Sequence, residues 1–201
     1  ILLEGLKRLE YRGYDSAGFA VIDERHKILR KRAVGKVVEL AAKADAEHCS
    51  GNIGIAQTRW ATHGKPSEKN AHPHLSGDKV AIVHNGIIEN YAELKAELLA
   101  QGVKFESDTD TEVVAHLIHQ ALQGGKSLSV AVRAVVARLK GAYAIAVMSL
   151  DEPDHLFIVR SGAPLVIGLG IGENFVASDS LSLLPVTHRF IYLHEGDIAE
   201  V

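Results

Sequence analysis

"KVAIVHNGIIENYAEL", residues 79–94, passes from one kind of structure to another within a few positions. Val80 to Val83 form a continuous apolar run, as expected of a strand covered on both faces. Asn85-Gly86 follows, a pair that ordinarily closes a hairpin. No partner strand comes next. Instead Asn90 and Glu93 read as a capping box ahead of Leu94 and Leu98, and Gly102 ends the pattern. A strand buried on both sides that runs on into a helix places its sheet between other layers.

The pattern extends outward in both directions. Downstream, Thr109 and Glu112 make a second capping box before the apolar face Val113, Val114, Leu117, Ile118 and Ala121, which Gly124-Gly125 closes. A third helix is expected over 127–140. After Gly141 the chain is almost entirely strand: "AYAIAVMSL", "HLFIVR", "LVIGLG", "NFVASD", "RFIYLH" and "DIAEV". Upstream, Leu2, Leu3, Leu6 and Leu9 recur at helical spacing, "AGFAVID" and "HKILRK" suggest a strand pair, and "NIGIAQTRW" a strand ending near Arg59. Helices grouped between two sets of strands predict an α+β protein with layered sheets, not a doubly wound parallel sheet. No linker-like stretch divides the chain, so residues 1–201 are read as a single domain.

Composition narrows the function. Apolar residues make up 47% and charged residues 23%, an ordinary globular balance, over 201 residues. A formal net charge of −3 lacks the basic excess of a nucleic-acid binder. No apolar run reaches the roughly 20 residues of a membrane helix, and no signal peptide is visible. A lone Cys49 excludes an internal disulfide. The expected setting is the cytoplasm, with neither nucleic acid nor membrane as a partner.

The chemistry gathers in "RWATHGKPSEKNAHPH", residues 59–74, with His84 close behind. His72 and His74 would share one side of a strand, and with His63 or His84 they would offer a zinc ion three imidazoles. A metal-dependent hydrolase is therefore the alternative reading. Against it, Pro73 disfavours a ladder strand, Lys65 and Lys69 repel a dication, and no HExxH spacing is present. Arg59, at the end of a strand, suits bidentate recognition of a carboxylate, or else sits as a plain surface arginine. Trp60 is a loop anchor or the apolar face of a lid. Asn85 and the Gly86 N–H together have the makings of an oxyanion hole. Asp110 reads as a first-turn acid or as the partner of an ammonium group. In "LEYRGYDSAG", residues 9–18, Arg12 is a further candidate beside Asp15 and Ser16.

Taken in order, "LEYRGYDSAG", "RWATHGKPSEKNAHPH", "HNGIIEN" and "SDTDTEVVAHL", with the later "GAYAI" and "PLVIGLG", closely resemble the glutaminase domain of glutamine–fructose-6-phosphate aminotransferases, members of the class II glutamine amidotransferases. The resemblance covers essentially the whole chain. It implies an N-terminal-nucleophile hydrolase fold, a four-layer αββα sandwich that needs no metal or other cofactor. The implied substrate is L-glutamine, whose ammonia passes to a C-terminal sugar-phosphate isomerase domain that makes glucosamine 6-phosphate. By motif, Arg59 would bind the α-carboxylate and Asp110 the α-ammonium group. Asn85 and Gly86 would hold the oxyanion, Trp60, Thr62 and His63 would belong to a loop closing over glutamine, and His72 would be a structural residue or dock that loop.

The resemblance also implies an N-terminal cysteine nucleophile. The sequence opens at Ile1, inside the expected first helix, and Cys49 falls outside every matched motif. The reading is of a domain truncated at its N-terminus and inactive as it stands, which leaves a non-catalytic amino-acid-binding module as a further alternative.

Overall fold

A computed structural model describes residues 1–47, 49–60 and 63–201. The elements run α1 (Leu2–Leu9), β1 (Ser16–Ile22), β2 (Ile28–Val34), α2 (Val37–Ala46), β3 (Ile53–Arg59), β4 (His74–Ser76), β5 (Val80–Ile88), α3 (Tyr91–Ala100), α4 (Glu112–Gln123), α5 (Leu128–Val136), β6 (Gly141–Ser149), β7 (Glu152–Ser161), β8 (Val166–Leu169), β9 (Asn174–Ala177), β10 (Phe190–Tyr192) and β11 (Ile198–Glu200). All strand pairs are antiparallel. They form a three-stranded sheet β2-β1-β3, a second three-stranded sheet β10-β8-β9 and a five-stranded sheet β11-β7-β6-β5-β4.

Strand alternation builds the layers. On β1, Ala17, Phe19 and Val21 meet Leu6, Val37 and Leu40 of α1 and α2. The opposite face, Ala20 and Ile22, meets Ala81 and Met148 of the five-stranded sheet. On β5 and β6, Val80, Ile82, Ile145 and Val147 pack against Leu94, Val113, Leu117, Ile118 and Leu128 of α3, α4 and α5. Because successive side chains point to opposite faces, each central strand must be apolar on both sides. The result is helices, sheet, sheet, helices: the αββα sandwich implied above.

Most elements match the sequence reading, with five differences. β4 is not foreseen: Pro73 argues for a loop, yet the chain pairs with β5 from His74, the residue just after it, where the missing proline N–H is no longer in the ladder. The helix α2 is not foreseen; its buried positions Val37, Leu40 and Ala44 are few, and alanines mask their spacing. The third helix stops at Val136, since Arg138 and Leu139 close tighter i−3 turns that swing the chain toward β6. Asn85-Gly86 is not a terminus: β5 runs through it to Ile88, pairing with β6 to the end. Neither expected capping box forms. The Asn90 side chain donates to Arg138 O and accepts from Lys140 N, tying α3 to the start of β6. Ser127 does cap its helix as its type predicts, accepting from Val130 N.

Candidate active site

β3 ends at Arg59, beside the kinked stretch of β5, and the loop before α4 comes up against both. Between them opens a cavity of about 840 Å³, elongated along β3 from Ile53 to Arg59. Ile53, Ile55, Leu165, Phe175 and Val176 line one part, while Arg59, His63, His84, Asn85 and Asp110 line another. β3 and β9 are edge strands of their own sheets, and both border this space.

Arg59 is buried, 4% exposed. Register sets it opposite Ser16 on β1, which brings Asp15 Oδ1 to 3.7 Å from Nη1. Nη2 donates to the carbonyls of His63 and Gly64, 2.8 Å for the latter, so the guanidinium holds the loop that follows it. Burial lowers its pKa, and the carboxylates of Asp15 and Asp110 oppose that shift. Nη1 is buried without a hydrogen-bond partner among the described residues. An unmade bond at a buried cation is costly, about 1–3 kcal/mol or more, and a ligand carboxylate would repay it.

Asp110 is 3% exposed and held by Ile88 N–H at 2.8 Å through Oδ2. Its Oδ1 lies 3.9 Å from His63 Nδ1. The His63 ring packs edge-on against Tyr91 at 5.1 Å. His84 is held through Nδ1 to Thr111 Oγ1 at 2.9 Å, and burial lowers its pKa to about 4 although Asp110 pulls the other way. His72 is driven well below the usual imidazole range, first by burial and then by its neighbours His74 and His84. Gly18 on β1 lets this segment come close, since a Cβ there would lie 2.1 Å from His72 O. Among the described residues, the buried atoms Arg59 Nη1, His63 Nδ1, His72 Nδ1 and His84 Nε2 have no hydrogen-bond partner, and all four residues line the cavity. Buried polar groups are nearly always paired, so four that are not, bordering one space, mark a ligand site.

Gly86 shapes the far side. Its φ of +123° is open to glycine, and a Cβ would lie 2.0 Å from Ala142 O on β6. The β4–β5 ladder ends at the pair His74–Ile82. Two residues on, the Gln57 side chain takes the place of a partner strand: Nε2 donates to His84 O at 2.7 Å and Oε1 accepts from His84 N at 2.9 Å. The amide of β3 thereby fixes the backbone leading into Asn85 and Gly86.

Comparison with known proteins bears directly on this constellation. A family model for the glutamine amidotransferase domain matches residues 57–185, from Gln57 through Asp110 and well beyond. The chain belongs to the glutamine amidotransferase domain family. Glutamine–fructose-6-phosphate aminotransferase [isomerizing] of Acinetobacter baylyi is 64% identical over the whole of this chain, which covers 32% of that protein. Its counterpart in Photorhabdus laumondii is 60% identical, with 33% of its length covered. The chain thus spans about a third of the length of these curated relatives. Among solved structures, the glutamine phosphoribosylpyrophosphate amidotransferase of B. subtilis, complexed with ADP and GMP, superposes with a TM-score of 0.82 at 27% identity, over 98% of this chain and 43% of that one.

Of the residues singled out in this amidotransferase domain, Arg59, His63, His72, Asn85, Gly86 and Asp110 line one cavity. Trp60 sits at its rim, 62% exposed, edge-on to Tyr14 at 5.5 Å. Arg12 is an exposed rim residue bonded to Ser178 Oγ at 3.3 Å. Thr62 lies outside the described residues. The metal alternative loses its geometry: among the described residues no group of three His, Cys, Asp or Glu side chains is placed to hold an ion. The His72 and His74 rings stack edge-to-face at 4.8 Å, and His74 Nε2 is engaged by Thr109 Oγ1. Sequence reasoning missed Gln57 and the part played by Asp15. Alternation along β3 puts Gln57 on the face of Arg59, a signal that was there to use. Asp15 meets Arg59 through a strand register no local pattern reveals.

Proposed function

We propose that this site binds L-glutamine and hydrolyses its side-chain amide. The observation that carries the reading is the buried pair of opposite charge at one end of the cavity: Arg59, whose Nη1 has no hydrogen-bond partner among the described residues, and Asp110, whose Oδ1 takes only a long 3.5 Å bond from Thr111 Oγ1 and lies 3.9 Å from His63. A zwitterionic amino acid needs that combination. Its α-carboxylate meets Arg59 and its α-ammonium group Asp110. The side chain then extends toward Asn85 and Gly86, whose amide groups serve the oxyanion that develops on the scissile carbonyl. Trp60, Thr62 and His63 close over the substrate, and His72 seats that loop.

The nucleophile is a cysteine from outside these residues. Cys49 packs with the cluster under α1 and α2 and does not line the cavity. The free edges of β3 and β9 border a path by which an extended segment can bring a thiol to the amide. Attack by the thiolate forms a C–S bond; collapse of the tetrahedral adduct expels protonated nitrogen as ammonia, and water hydrolyses the thioester to glutamate. In the full-length enzyme the ammonia goes to a C-terminal isomerase domain for synthesis of glucosamine 6-phosphate from fructose 6-phosphate. The setting is the cytoplasm; among the described residues no helix is long and apolar enough to cross a membrane.

Calorimetric titration with L-glutamine, paired with an assay of glutamate release, tests this reading. The 201-residue chain should bind glutamine without turning it over, and Arg59→Ala should weaken binding about 100-fold. Restoring a cysteine-led segment should restore turnover. Glutamine binding indifferent to Arg59→Ala would refute the site, and binding without turnover in the restored protein would leave an amino-acid-binding module.

A further inference from the structure

Glu112, the first residue of α4, is 2% exposed and does not take up the capping role its position suggests. Its carboxylate reaches back to the loop before the helix. Oε1 accepts from Glu106 N at 2.7 Å, and Oε2 accepts from Ser107 N at 2.7 Å and from Ser107 Oγ at 2.5 Å. His116 Nε2, one turn along the helix, lies 3.2 Å from Oε1.

With neutral imidazoles, the protons in this network have one consistent arrangement. Ser107 gives its hydroxyl proton to Glu112, so Thr109 Oγ1, 3.0 Å away, donates to Ser107 Oγ. Thr109 Oγ1 must then accept from His74, which fixes the Nε2–H tautomer of that ring at 3.1 Å. On the other side, His116 donates through Nε2 to Glu112, so its Nδ1 accepts from Ser76 Oγ at 2.8 Å, and Ser76 accepts from His119 Nδ1 at 2.9 Å. Every donor chain ends at the Glu112 carboxylate. Burial alone would raise its pKa, yet bonds from His116, Ser107 and the two backbone N–H groups hold it down at about 2.

We propose that Glu112 is a positioning residue for the amino-acid site: by fixing residues 106–109 it sets where Asp110 stands against the ligand's α-ammonium group. This rests on the glutamine reading above. Asp110 accepts from Ile88 N at one oxygen and, at 3.5 Å, from Thr111 Oγ1 at the other. It follows directly on a loop whose backbone N–H groups at 106 and 107 Glu112 holds, while exposed ion pairs of Glu106 with Arg30 and Arg32 and of Asp108 with Lys69 tie down its side chains from outside. Glu112→Gln keeps the shape but turns one acceptor into an N–H donor facing a backbone N–H. The loop must then shift, carrying Asp110 with it.

The test compares two ligands by calorimetry: L-glutamine and glutaramate, the same molecule without its α-amino group. Glu112→Gln should weaken L-glutamine about 10- to 100-fold and leave glutaramate unchanged. Asp110→Asn should show the same selectivity, and the double variant should be no worse than Asp110→Asn alone. Ser107→Ala, which removes one arm of the anchor without touching the charge, should give a smaller loss of the same selectivity, and it decides the matter if Glu112→Gln fails to fold. Equal weakening of both ligands, or no weakening of either, overturns the proposal. If the unaltered protein binds glutaramate and L-glutamine alike, or neither, the glutamine reading itself has failed, a result no Glu112 variant can imitate.

Discussion

The two faces of the five-stranded sheet are built to opposite rules. Toward α3–α5 its strands present Val80, Ile82, Ile145, Val147, Phe157 and Val159, which are buried among valines and leucines of the helices. Toward the other sheets Met148 and Ile158 are large and buried, but the positions nearest the cavity are smaller or polar, Ala81, Val83, Asn85, Ala144 and Ala146. Large side chains fill the first interface throughout; at the second, small ones around Asn85 leave room, and the cavity forms there. The difference separates two kinds of energy. The helix face supplies stability through dry contact, at roughly 25 cal/mol per Å² of apolar surface removed from water. The cavity face gives some stability up, keeping buried nitrogens of Arg59, His63, His72 and His84 without partners among the described residues.

If that division is right, the largest effect on stability comes from the face that never meets ligand. Phe157 is 2% exposed within the helix-side cluster. Phe157→Ala should cost about 3–5 kcal/mol of unfolding free energy, read from urea denaturation, while the protein that remains folded binds glutamine with unaltered affinity. A parallel loss of affinity would break the comparison, since the two faces would then be one mechanical unit.

Gly86→Ala should be felt on both faces, because β5 belongs to both. The added Cβ meets Ala142 O, a backbone atom with little freedom, at a φ that other residues rarely adopt. A stability loss of about 1–3 kcal/mol is expected. In the full-length enzyme, glutamine hydrolysis should fall further than stability alone accounts for, by about 10²–10³. A loss of stability without the added loss of rate would remove Gly86 from the oxyanion hole.

The same division explains what could be read from the sequence. Continuous apolar runs on β1, β5 and β6 carried the layered fold, since burial on both faces leaves a pattern no loop imitates. Arg59, Asn85, Gly86 and Asp110 stood out because their neighbours are motif residues, and the cavity does bring them together. What stayed hidden is what depends on pairing across long separations. Asp15 reaches Arg59 only through the β1–β3 register. Gln57 acts on His84 only because the β4 ladder ends early. Thr109 and Glu112 carry the right spacing for a capping box, yet tertiary partners, His74 for one and the 106–107 backbone for the other, take both side chains.

At neutral pH the last effect is absent; it grows on acidification and belongs to the cavity face. Burial depresses the pKa of His84 to about 4 and of His74 to about 3, and lowers that of His72 strongly. A free histidine titrates near 6.5, so below that pH the unfolded chain binds protons that the folded protein refuses. Stability from these three residues is therefore fully present above about pH 6.5 and lost as pH falls toward 4 and below. Glu112 acts in the same direction in a lower window. With a folded pKa of about 2 against 4.5, its contribution is present above pH 4.5 and lost beneath it. Urea midpoints should be level from pH 8 to 7, decline from about 6.5, and steepen below about 4.5. In His72→Gln/His84→Gln the first decline should flatten while the second remains. If that variant keeps the full decline above pH 4.5, the acid sensitivity lies outside the cavity, and the unpaired ring nitrogens cost the fold less than their burial implies.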